Sequence, residues 1–366
     1  MMQLVYIAPV EWVSFAQRPH KFVMWFHTQT NGNVLWIDPY PTRLPSISDL
    51  QRLRRTASKA VNKSPQWLQV IKPSALPIEP LPCSAWVNAL IWQSTLKRID
   101  EFSNNQDTLL LIGKPSAFAL TVLRRMKNSI SIYDAMDDFS AFYSGISRHA
   151  IYSREQKIVN GVTHMLTSST NLYKLWSKFR CDIQLIFNGL DTESISTREF
   201  FKPEREKKIL GYVGTIGSWF DWEWVIELAK ARPSDIVRLI GPVFVSNPTD
   251  LPRNIEIHPP CHHLQAIEYM HDFDIGLIPF KINTLTKSVD PIKYYEYTAL
   301  DLAIISTDFG EMSYRATNTN VFICKKGAAI NHVIEKALLY KRDPKKAKEF
   351  CINNSWDTRF STANII

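Results

Sequence analysis

Short, almost purely apolar runs alternate with helical patterns along this 366-residue chain, and this alternation constrains its fold more than any other feature. Near-continuous apolar strands separated by helices are typical of a parallel sheet that is covered by helices on both faces. We predict strands at residues 4–8, 33–37, 109–112, 130–133 and 164–167, and again at 209–213, 236–240, 254–257, 274–279, 303–306 and 321–324.

The pattern restarts in the middle of the chain, which predicts two doubly wound α/β units. The turn signal Asn188-Gly189 follows a strand pattern and marks the join. We predict a Rossmann-like N-terminal domain at 1–188, a Rossmann-like C-terminal domain at 189–345, and a helix with a tail at 346–366 that packs back toward the first domain. Because ligands of such sheets bind at the carboxyl ends of the strands, we expect the active cleft to lie between the two domains.

The positive charge of the chain is concentrated in its first half. Of the net charge of +8, residues 1–188 contribute 21 Lys and Arg against 12 Asp and Glu, whereas residues 189–366 contribute 22 against 23. A basic half indicates an anionic partner, such as a membrane surface or a phosphorylated acceptor, or only a solvated basic surface. No nucleic-acid-binding motif is present, so nucleic acid is not an expected partner.

Other patterns narrow the class of protein. No run of 18 apolar residues and no basic-then-apolar leader occurs, so we expect a cytoplasmic protein without a membrane span. The five cysteines form no C-x-x-C pair, which suits a reducing compartment. Four histidines cluster in the second half without the spacing of a metal motif, so we expect no metal site. They are His258, His262, His263 and His271.

One segment of the second half, KSVDPIKYYEYTAL, could bind an anionic ligand. Asp290 suits a helix N-cap and Pro291 the first helical position, and Lys293, Glu296 and Tyr297 then share one face. The ammonium and the helix N-terminus would neutralise a diphosphate, and the carboxylate would accept hydrogen bonds from ribose hydroxyls. A surface ion pair between i and i+3 is the alternative, which periodicity alone favours.

A glycine-rich turn after the first strand of the second half could approach a phosphate through backbone N–H groups. The spacing of Gly211, Gly214 and Gly217 differs from the dinucleotide fingerprint, so we do not expect NAD. Ser218 and Asp221 would form a capping box for the helix that follows. A tight strand-to-helix turn without a ligand is the alternative.

Two groups of polar residues follow strands of the first half. Asp134, Asp137 and Asp138 come after the fourth strand pattern, where one carboxylate could deprotonate an acceptor hydroxyl or cap the next helix. Arg18 and His20 come after the first strand, at a predicted helix start. They could contact an anionic acceptor, although such residues are more often structural.

A basic amphipathic helix is predicted at 48–63. Its polar face carries Arg52, Arg55, Lys59 and Lys63, and its other face is apolar. Such a helix is compatible with lying on an anionic membrane, and the alternative is the solvated face of a helix packed on the core.

Taken together, these segments resemble the GT-B glycosyltransferases of bacterial polysaccharide assembly, with the teichuronic-acid and xanthan glucuronosyltransferase types as the nearest. The resemblance spans nearly the whole chain, and its motifs are individually loose but occur in the right order. It is carried by residues 211–222, 238–242, 273–283, 286–297 and 303–307, with 17–20, 133–138 and 188–191 similar to the first domain and hinge of that group.

The resemblance implies roles for individual residues. Glu296 matches the carboxylate that binds the nucleotide ribose, and Lys293 matches the basic residue at the donor diphosphate. Asp137 matches the general base, with Asp138 as a close rival. Further residues assigned to the donor are Gly214, Thr215, Trp219, Asn283 and Tyr297. These enzymes need neither a cofactor nor a divalent metal, because lysine and backbone N–H groups neutralise the diphosphate.

Two departures from the group bear on mechanism. Many GT-B relatives carry two glutamates eight positions apart, and Ser288 occupies the first of those positions here. A retaining mechanism based on that pair is therefore in doubt, and inversion is favoured. The usual Ala-Gly before the last strand of the second domain is Leu300-Asp301, so that turn must differ.

The sequence therefore predicts a glycosyltransferase that moves a hexosyl or uronosyl unit from a nucleoside diphosphate sugar, with UDP favoured over GDP. The expected acceptor is a hydroxyl of a glycan linked to polyprenyl diphosphate, reached from the cytoplasmic membrane face in exopolysaccharide or lipopolysaccharide assembly. Two alternatives stay open: a nucleotide-sugar epimerase of the same fold, and a non-catalytic, membrane-docked subunit of a polysaccharide complex.

Overall fold

The computed structural model describes residues 2–42, 64–81, 84–104, 106–195 and 205–366. The chain divides into two compact units, the first made of Met1–Ile186 with Phe360–Ile366 and the second of Phe187–Arg359. The predicted basic helix at 48–63 lies outside the described residues, so the membrane role of Arg52, Arg55, Lys59 and Lys63 stays a prediction.

The first unit is built on a parallel sheet whose described strands number seven, in the order β3-β2-β1-β4-β5-β6-β7. Its strands are β1 (Gln3–Ile7), β2 (Val34–Ile37), β3 (Leu68–Ile71), β4 (Thr108–Ile112), β5 (Ser131–Ala135), β6 (His164–Thr167) and β7 (Ile183–Leu185). Its helices are α1 (Arg18–Thr30), α2 (Ser84–Ile91), α3 (Gln93–Ser103), α4 (Ala117–Arg125), α5 (Gly145–Gly161) and α6 (Thr170–Trp176), with a 3-10 turn at Phe139–Phe142.

The second unit is built on a parallel sheet whose described strands number six, in the order β10-β9-β8-β11-β12-β13. Its strands are β8 (Ile209–Val213), β9 (Ile236–Ile240), β10 (Ile255–His258), β11 (Ile275–Ile278), β12 (Ala303–Thr307) and β13 (Val321–Cys324). Its helices are α7 (Trp222–Ala231), α8 (His263–His271), α9 (Ile292–Ala299), α10 (Gly310–Tyr314), α11 (Ile330–Leu338) and α12 (Pro344–Asn353), with a 3-10 turn at Thr286–Ser288. The last helix is α13 (Trp356–Ser361).

The buried strands account for the apolar runs of the sequence. Every residue of β1, β2, β4, β8 and β12 is buried, because helices cover both faces of each sheet. The two-unit α/β fold class predicted from the sequence is confirmed. Only Phe360–Ile366 of the predicted tail belongs to the first unit, whereas α12 packs against α9 in the second.

The strand order gives each sheet a point where successive connections run in opposite directions. This point lies between β1 and β4 in the first unit and between β8 and β11 in the second. Ligands of open parallel sheets bind outside the carboxyl ends of the strands at such points. The loops that leave β8 and β11 are therefore the place to look for a ligand site in the second unit. Among the described residues, no helix is long and apolar enough to span a bilayer.

A buried ion pair fixes the start of α1 in the first unit. The Arg18 guanidinium donates to both carboxylate oxygens of Asp134 on β5, at 2.8 and 2.9 Å, and to the carbonyl of Ile186 at 2.8 Å. Both charged side chains are almost completely buried. Because Arg18 is bound in this way, the structure gives it a structural role and does not favour the predicted contact with an anionic acceptor.

His20 is also held inside the first unit. Its Nδ1 accepts from the Gln17 N–H at 3.2 Å, and its Nε2 lies 3.1 Å from the Trp12 carbonyl. Burial is the main cause that lowers the pKa of His20, which favours the neutral ring. A neutral, buried imidazole is poorly suited to bind an anion, so the structure does not favour His20 as an acceptor contact either.

We expect Arg18→Leu to destabilise the first unit by about 3 kcal/mol or more, because the change leaves the Asp134 carboxylate buried without its partner. Urea unfolding followed by circular dichroism measures the effect. Arg125→Leu is the matched control, since Arg125 pairs with Asp100 on the surface and such pairs contribute at most about 1 kcal/mol. Equal losses of stability for the two variants would contradict the structural role of Arg18.

Candidate functional site

The loops that follow β8 and β11 are joined to each other by backbone hydrogen bonds. The Asp221 N–H donates to the Pro279 carbonyl at 2.8 Å, and the Lys281 N–H donates to the Trp219 carbonyl at 2.7 Å. These loops contain most of the residues predicted to bind the donor. They therefore form one continuous surface beside the strand ends at which the sheet order predicts a ligand.

The glycine turn uses part of its backbone for its own structure. The Gly214 N–H donates to the Ile240 carbonyl at 2.9 Å, and the Ile216 N–H donates to the Pro242 carbonyl at 2.9 Å. These two N–H groups are therefore not available to a phosphate, which corrects the predicted cradle at Gly214. The N–H of Thr215 makes no hydrogen bond within the described ranges and stays a candidate donor.

The helix after this turn begins later than the sequence predicts. Asp221 is the N-cap of α7, and its carboxylate accepts from the Trp224 N–H at 3.1 Å. The predicted capping box of Ser218 and Asp221 is therefore wrong, because the helix starts at Trp222 and Ser218 is exposed in the preceding turn. The Asp221 carboxylate is therefore engaged in capping α7.

Asp290 is buried where the second loop leads into α9. Its carboxylate accepts from the Asn188 N–H at 2.8 Å, from the Tyr295 hydroxyl at 2.8 Å and from the Arg315 guanidinium at 2.5 Å. The N-cap of α9 is Pro291, so the predicted capping role of Asp290 is wrong. These three contacts instead fix the path of the chain into the helix that carries Lys293 and Glu296.

Lys293 and Glu296 form an ion pair, but it is not a surface pair. The Glu296 side chain is 7% exposed and the Lys293 side chain 20% exposed. The ammonium binds Glu296 Oε2, whereas Oε1 has no hydrogen bond within the described part of the chain and lies 3.9 Å from His263 Nδ1. The site therefore offers one free carboxylate oxygen, a lysine ammonium and an imidazole beside the N-terminus of α9.

Tyr297 is fully buried beneath this site. Its hydroxyl accepts from the Val213 N–H at 3.2 Å and lies 3.4 Å from the Gly211 carbonyl. A Cβ at Gly276 would come within 2.5 Å of the Tyr297 ring, so only glycine leaves room for that ring on β11. Tyr297 thus packs α9 onto the sheet, and its burial does not favour the predicted contact with a donor.

Asn283 shapes the loop that precedes α9. Its side-chain oxygen accepts from the Thr286 N–H at 3.0 Å, and its carbonyl accepts from the Lys287 N–H at 3.0 Å. These bonds start the 3-10 turn that ends at Ser288, which is buried. Trp219 is half-buried, and its ring lies against Gly217, where a Cβ would come within 2.7 Å. Asn283 is thus engaged in hydrogen bonds of a turn, and Trp219 lies at the edge of the glycine loop.

The structure separates the two candidate bases of the first unit. The Asp138 carboxylate accepts from the Ser140 hydroxyl at 2.8 Å and from the Ala141 N–H at 3.2 Å, so it caps the 3-10 turn. The half-buried Asp137 carboxylate makes no hydrogen bond or ion pair among the described residues. Burial, followed by the charges of Asp138 and Asp134, raises the pKa of Asp137 to about 7.

A further acid lies in this cluster and was missed in the sequence. Glu155 on α5 is buried and accepts from the Tyr133 hydroxyl at 2.5 Å. Burial raises the pKa of Glu155 to about 8, with added contributions from Asp138 and Asp137. The available signal was its place on an otherwise apolar helix face, since Ile151, Ile158 and Val159 of α5 are buried with it. Among the described residues, no group of three His, Cys, Asp or Glu side chains could hold a metal ion.

The chain is similar in sequence to a bacterial protein. The chain is 25% identical over 203 residues to a Bacillus subtilis protein, TuaH, named for a glycosyltransferase of teichuronic acid biosynthesis. The match covers 50% of this chain and 51% of that protein, so the chain matches about half the length of this relative. No family model matches the chain.

Solved structures match the whole chain. A sucrose-phosphate synthase from Thermosynechococcus elongatus matches with a TM-score of 0.70 at 12% identity, covering 99% of this chain and 98% of that one. Anabaena HepE in complex with UDP and glucose matches with a TM-score of 0.65 at 10% identity and the same coverage. At such identities the similarity establishes the fold, and the predicted GT-B fold is confirmed.

The raised pKa of Asp137 makes the stability of the fold depend on pH. The folded protein keeps this carboxyl protonated up to about pH 7, whereas the unfolded chain releases the proton near its ordinary pKa of 3.8. Stability is therefore lost as the pH rises through this window. We expect Asp137→Asn to resist urea better than wild type at pH 8, with the difference vanishing near pH 4.

Asp107→Asn is the matched control for this measurement, because Asp107 is an exposed carboxylate of the first unit and does not contribute to the raised pKa of Asp137. Urea midpoints at a series of pH values give the comparison. An Asp137→Asn variant whose midpoint follows that of wild type at every pH would contradict the raised pKa.

Proposed function

We propose that this chain is a glycosyltransferase that moves a hexosyl or uronosyl unit from a nucleoside diphosphate sugar to a glycan hydroxyl. UDP is the favoured nucleotide, and the acceptor is a lipid-linked glycan of cell-surface polysaccharide assembly, met at the cytoplasmic face of the membrane. The single observation that carries the proposal is the pair of half-buried Lys293 and buried Glu296, in which one carboxylate oxygen has no hydrogen bond within the described residues, next to the strand ends of a GT-B fold.

The chemistry of this pair suits a nucleoside diphosphate. A carboxylate oxygen in a water-poor site accepts strong hydrogen bonds from vicinal hydroxyls of a ribose. Lys293 and the N-terminus of α9 supply positive charge for the diphosphate, which would make a divalent metal unnecessary. The TuaH and HepE names support the substrate class, because one refers to a glycosyltransferase and the other to complexes with UDP and UDP-glucose.

We further propose Asp137 as the general base. In the transfer step, the acceptor hydroxyl gives its proton to the Asp137 carboxylate while its oxygen forms a bond to the anomeric carbon. The bond from that carbon to the diphosphate oxygen breaks, and the nucleoside diphosphate leaves with the electron pair. A base whose pKa lies near the working pH is well matched to this task. Asp138, which is bound to its turn, is less suited.

We expect Glu296→Gln to weaken UDP binding roughly tenfold to a hundredfold, because the charge-assisted hydrogen bonds to the ribose are lost. Isothermal titration calorimetry with UDP and with GDP measures the affinity and the preferred base. Glu268→Gln is the matched control, since Glu268 is an exposed residue of α8 in the same unit. The same titrations with EDTA present test the absence of a metal requirement.

Two results would contradict the donor site. Wild-type protein that binds neither UDP nor GDP would exclude a nucleotide-sugar donor. UDP affinity that is the same in Glu296→Gln and wild type would move the ribose contact elsewhere in the second unit.

We expect Asp137→Asn to lower transfer from a UDP-sugar to a lipid-linked glycan at least about a hundredfold while UDP affinity is kept. Wild-type turnover should rise with pH through about 7, as Asp137 loses its proton. Release of UDP in the presence of acceptor extract measures turnover, and Asp138→Asn should retain most of it. Full activity of Asp137→Asn would exclude this base, and isomerised donor sugar formed without acceptor would indicate an epimerase.

A further inference from the structure

Helix α2 of the first unit is amphipathic, but its polar face is buried and its apolar face is exposed. Its buried residues are Ser84 and Asn88, which are polar. The Ser84 hydroxyl donates to the Glu79 carbonyl at 2.8 Å, and the Asn88 side chain exchanges two hydrogen bonds with the backbone of Leu76, at 2.8 and 3.3 Å. The helix is therefore attached to the unit by its polar face, through hydrogen bonds.

The opposite face of α2 presents large apolar side chains to solvent. Trp86 is 83% exposed, Leu90 is 77% exposed and Val87 is 45% exposed. Trp86 and Leu90 are four residues apart, so they lie side by side on the helix. Ile91 and the nearby Leu81 are also exposed. An ordinary surface helix buries such residues, and an exposed apolar patch of this kind is typical of an interaction surface.

Basic side chains flank this apolar face. A groove of about 490 Å³ runs beside α2, and Trp86 lines it together with Arg124 of α4 and with Arg154 and Lys157 of α5. Among the residues that the structure describes, no Asp or Glu side chain lines the groove. Arg154 contacts Glu79, but Arg124 and Lys157 are exposed and make no hydrogen bond or ion pair within the described ranges.

We propose that the exposed face of α2 and this basic groove form a docking surface for an anionic lipid bilayer. Tryptophan and leucine enter the boundary between headgroups and acyl chains, and arginine and lysine bind the phosphates of the headgroups. Each lysine or arginine near an anionic membrane adds to the attraction, so the basic side chains of this groove suit such a surface. An apolar protein partner would not require the cations.

This surface deepens the proposed function, since its biological sense rests on an acceptor that is anchored in a membrane. Its physical basis is independent of the donor site, because α2 belongs to the first unit and Glu296 to the second. The two proposals can therefore fail separately. Vesicle binding tests the surface, and UDP titration tests the donor site in the same protein preparation.

The experiment is co-sedimentation of the full chain with vesicles of phosphatidylcholine alone or mixed in equal parts with phosphatidylglycerol. We expect wild type to bind the mixed vesicles, with an affinity that falls as salt is added. The double variant Trp86→Ser/Leu90→Ser should bind at least about tenfold more weakly, because both apolar contacts with the bilayer are lost. Arg124→Gln/Lys157→Gln should lower binding to the mixed vesicles and remove most of its salt dependence.

Leu339→Ser is the matched control, since Leu339 is an equally exposed leucine of the second unit and should bind vesicles like wild type. An unchanged urea midpoint in circular dichroism shows that the folding of each variant is intact. Failure of wild type to bind the mixed vesicles, or equal binding by Trp86→Ser/Leu90→Ser, would overturn the proposal. A concentration-dependent dimer in analytical ultracentrifugation that the double variant abolishes would assign this face to a second copy instead.

Discussion

The buried contact between Asp290 and Arg315 is the constraint on which the site of the second unit depends. The same carboxylate binds the Asn188 N–H and the Tyr295 hydroxyl, and the Arg315 guanidinium lies 3.8 Å from the centre of the Tyr294 ring. These bonds fix Asp290 shortly before α9 begins. They therefore also fix the position of the first turns of that helix. Removal of either charge would leave its partner buried, at a cost of about 3–5 kcal/mol.

The central strands could be predicted from the sequence because burial on both faces makes them mostly apolar. The central strands β6, β8 and β9 begin and end where the apolar runs do, and so does the edge strand β13. The edge strands β3 and β7 were not predicted, because an edge strand has one neighbour and keeps polar residues such as Gln69 and Gln184. Spacing along the chain carries the signal of burial, and that signal is weak in β3 and β7.

The site was predictable only where its residues are close in sequence. Lys293 and Glu296 stand one helical turn apart, so their pairing could be foreseen, although their burial could not. The bond from Asn188 to Asp290 joins residues 102 positions apart, and the bond from Arg18 to Asp134 joins residues 116 positions apart. Side-chain chemistry alone indicates that such residues need partners, but only the fold determines which partners they have.

Helix α2 reverses the usual relation between exposure and tolerance to substitution. Buried positions normally accept apolar residues and reject polar ones, whereas exposed positions accept almost any residue. At Asn88, an apolar replacement would leave the Leu76 N–H and carbonyl without their hydrogen-bond partner. At Trp86 and Leu90, polar replacements would leave the stability of the protein unchanged and would be harmful only where the surface is used. Selection on the exposed face of this helix would therefore be visible in cells and nearly invisible to any assay of folding.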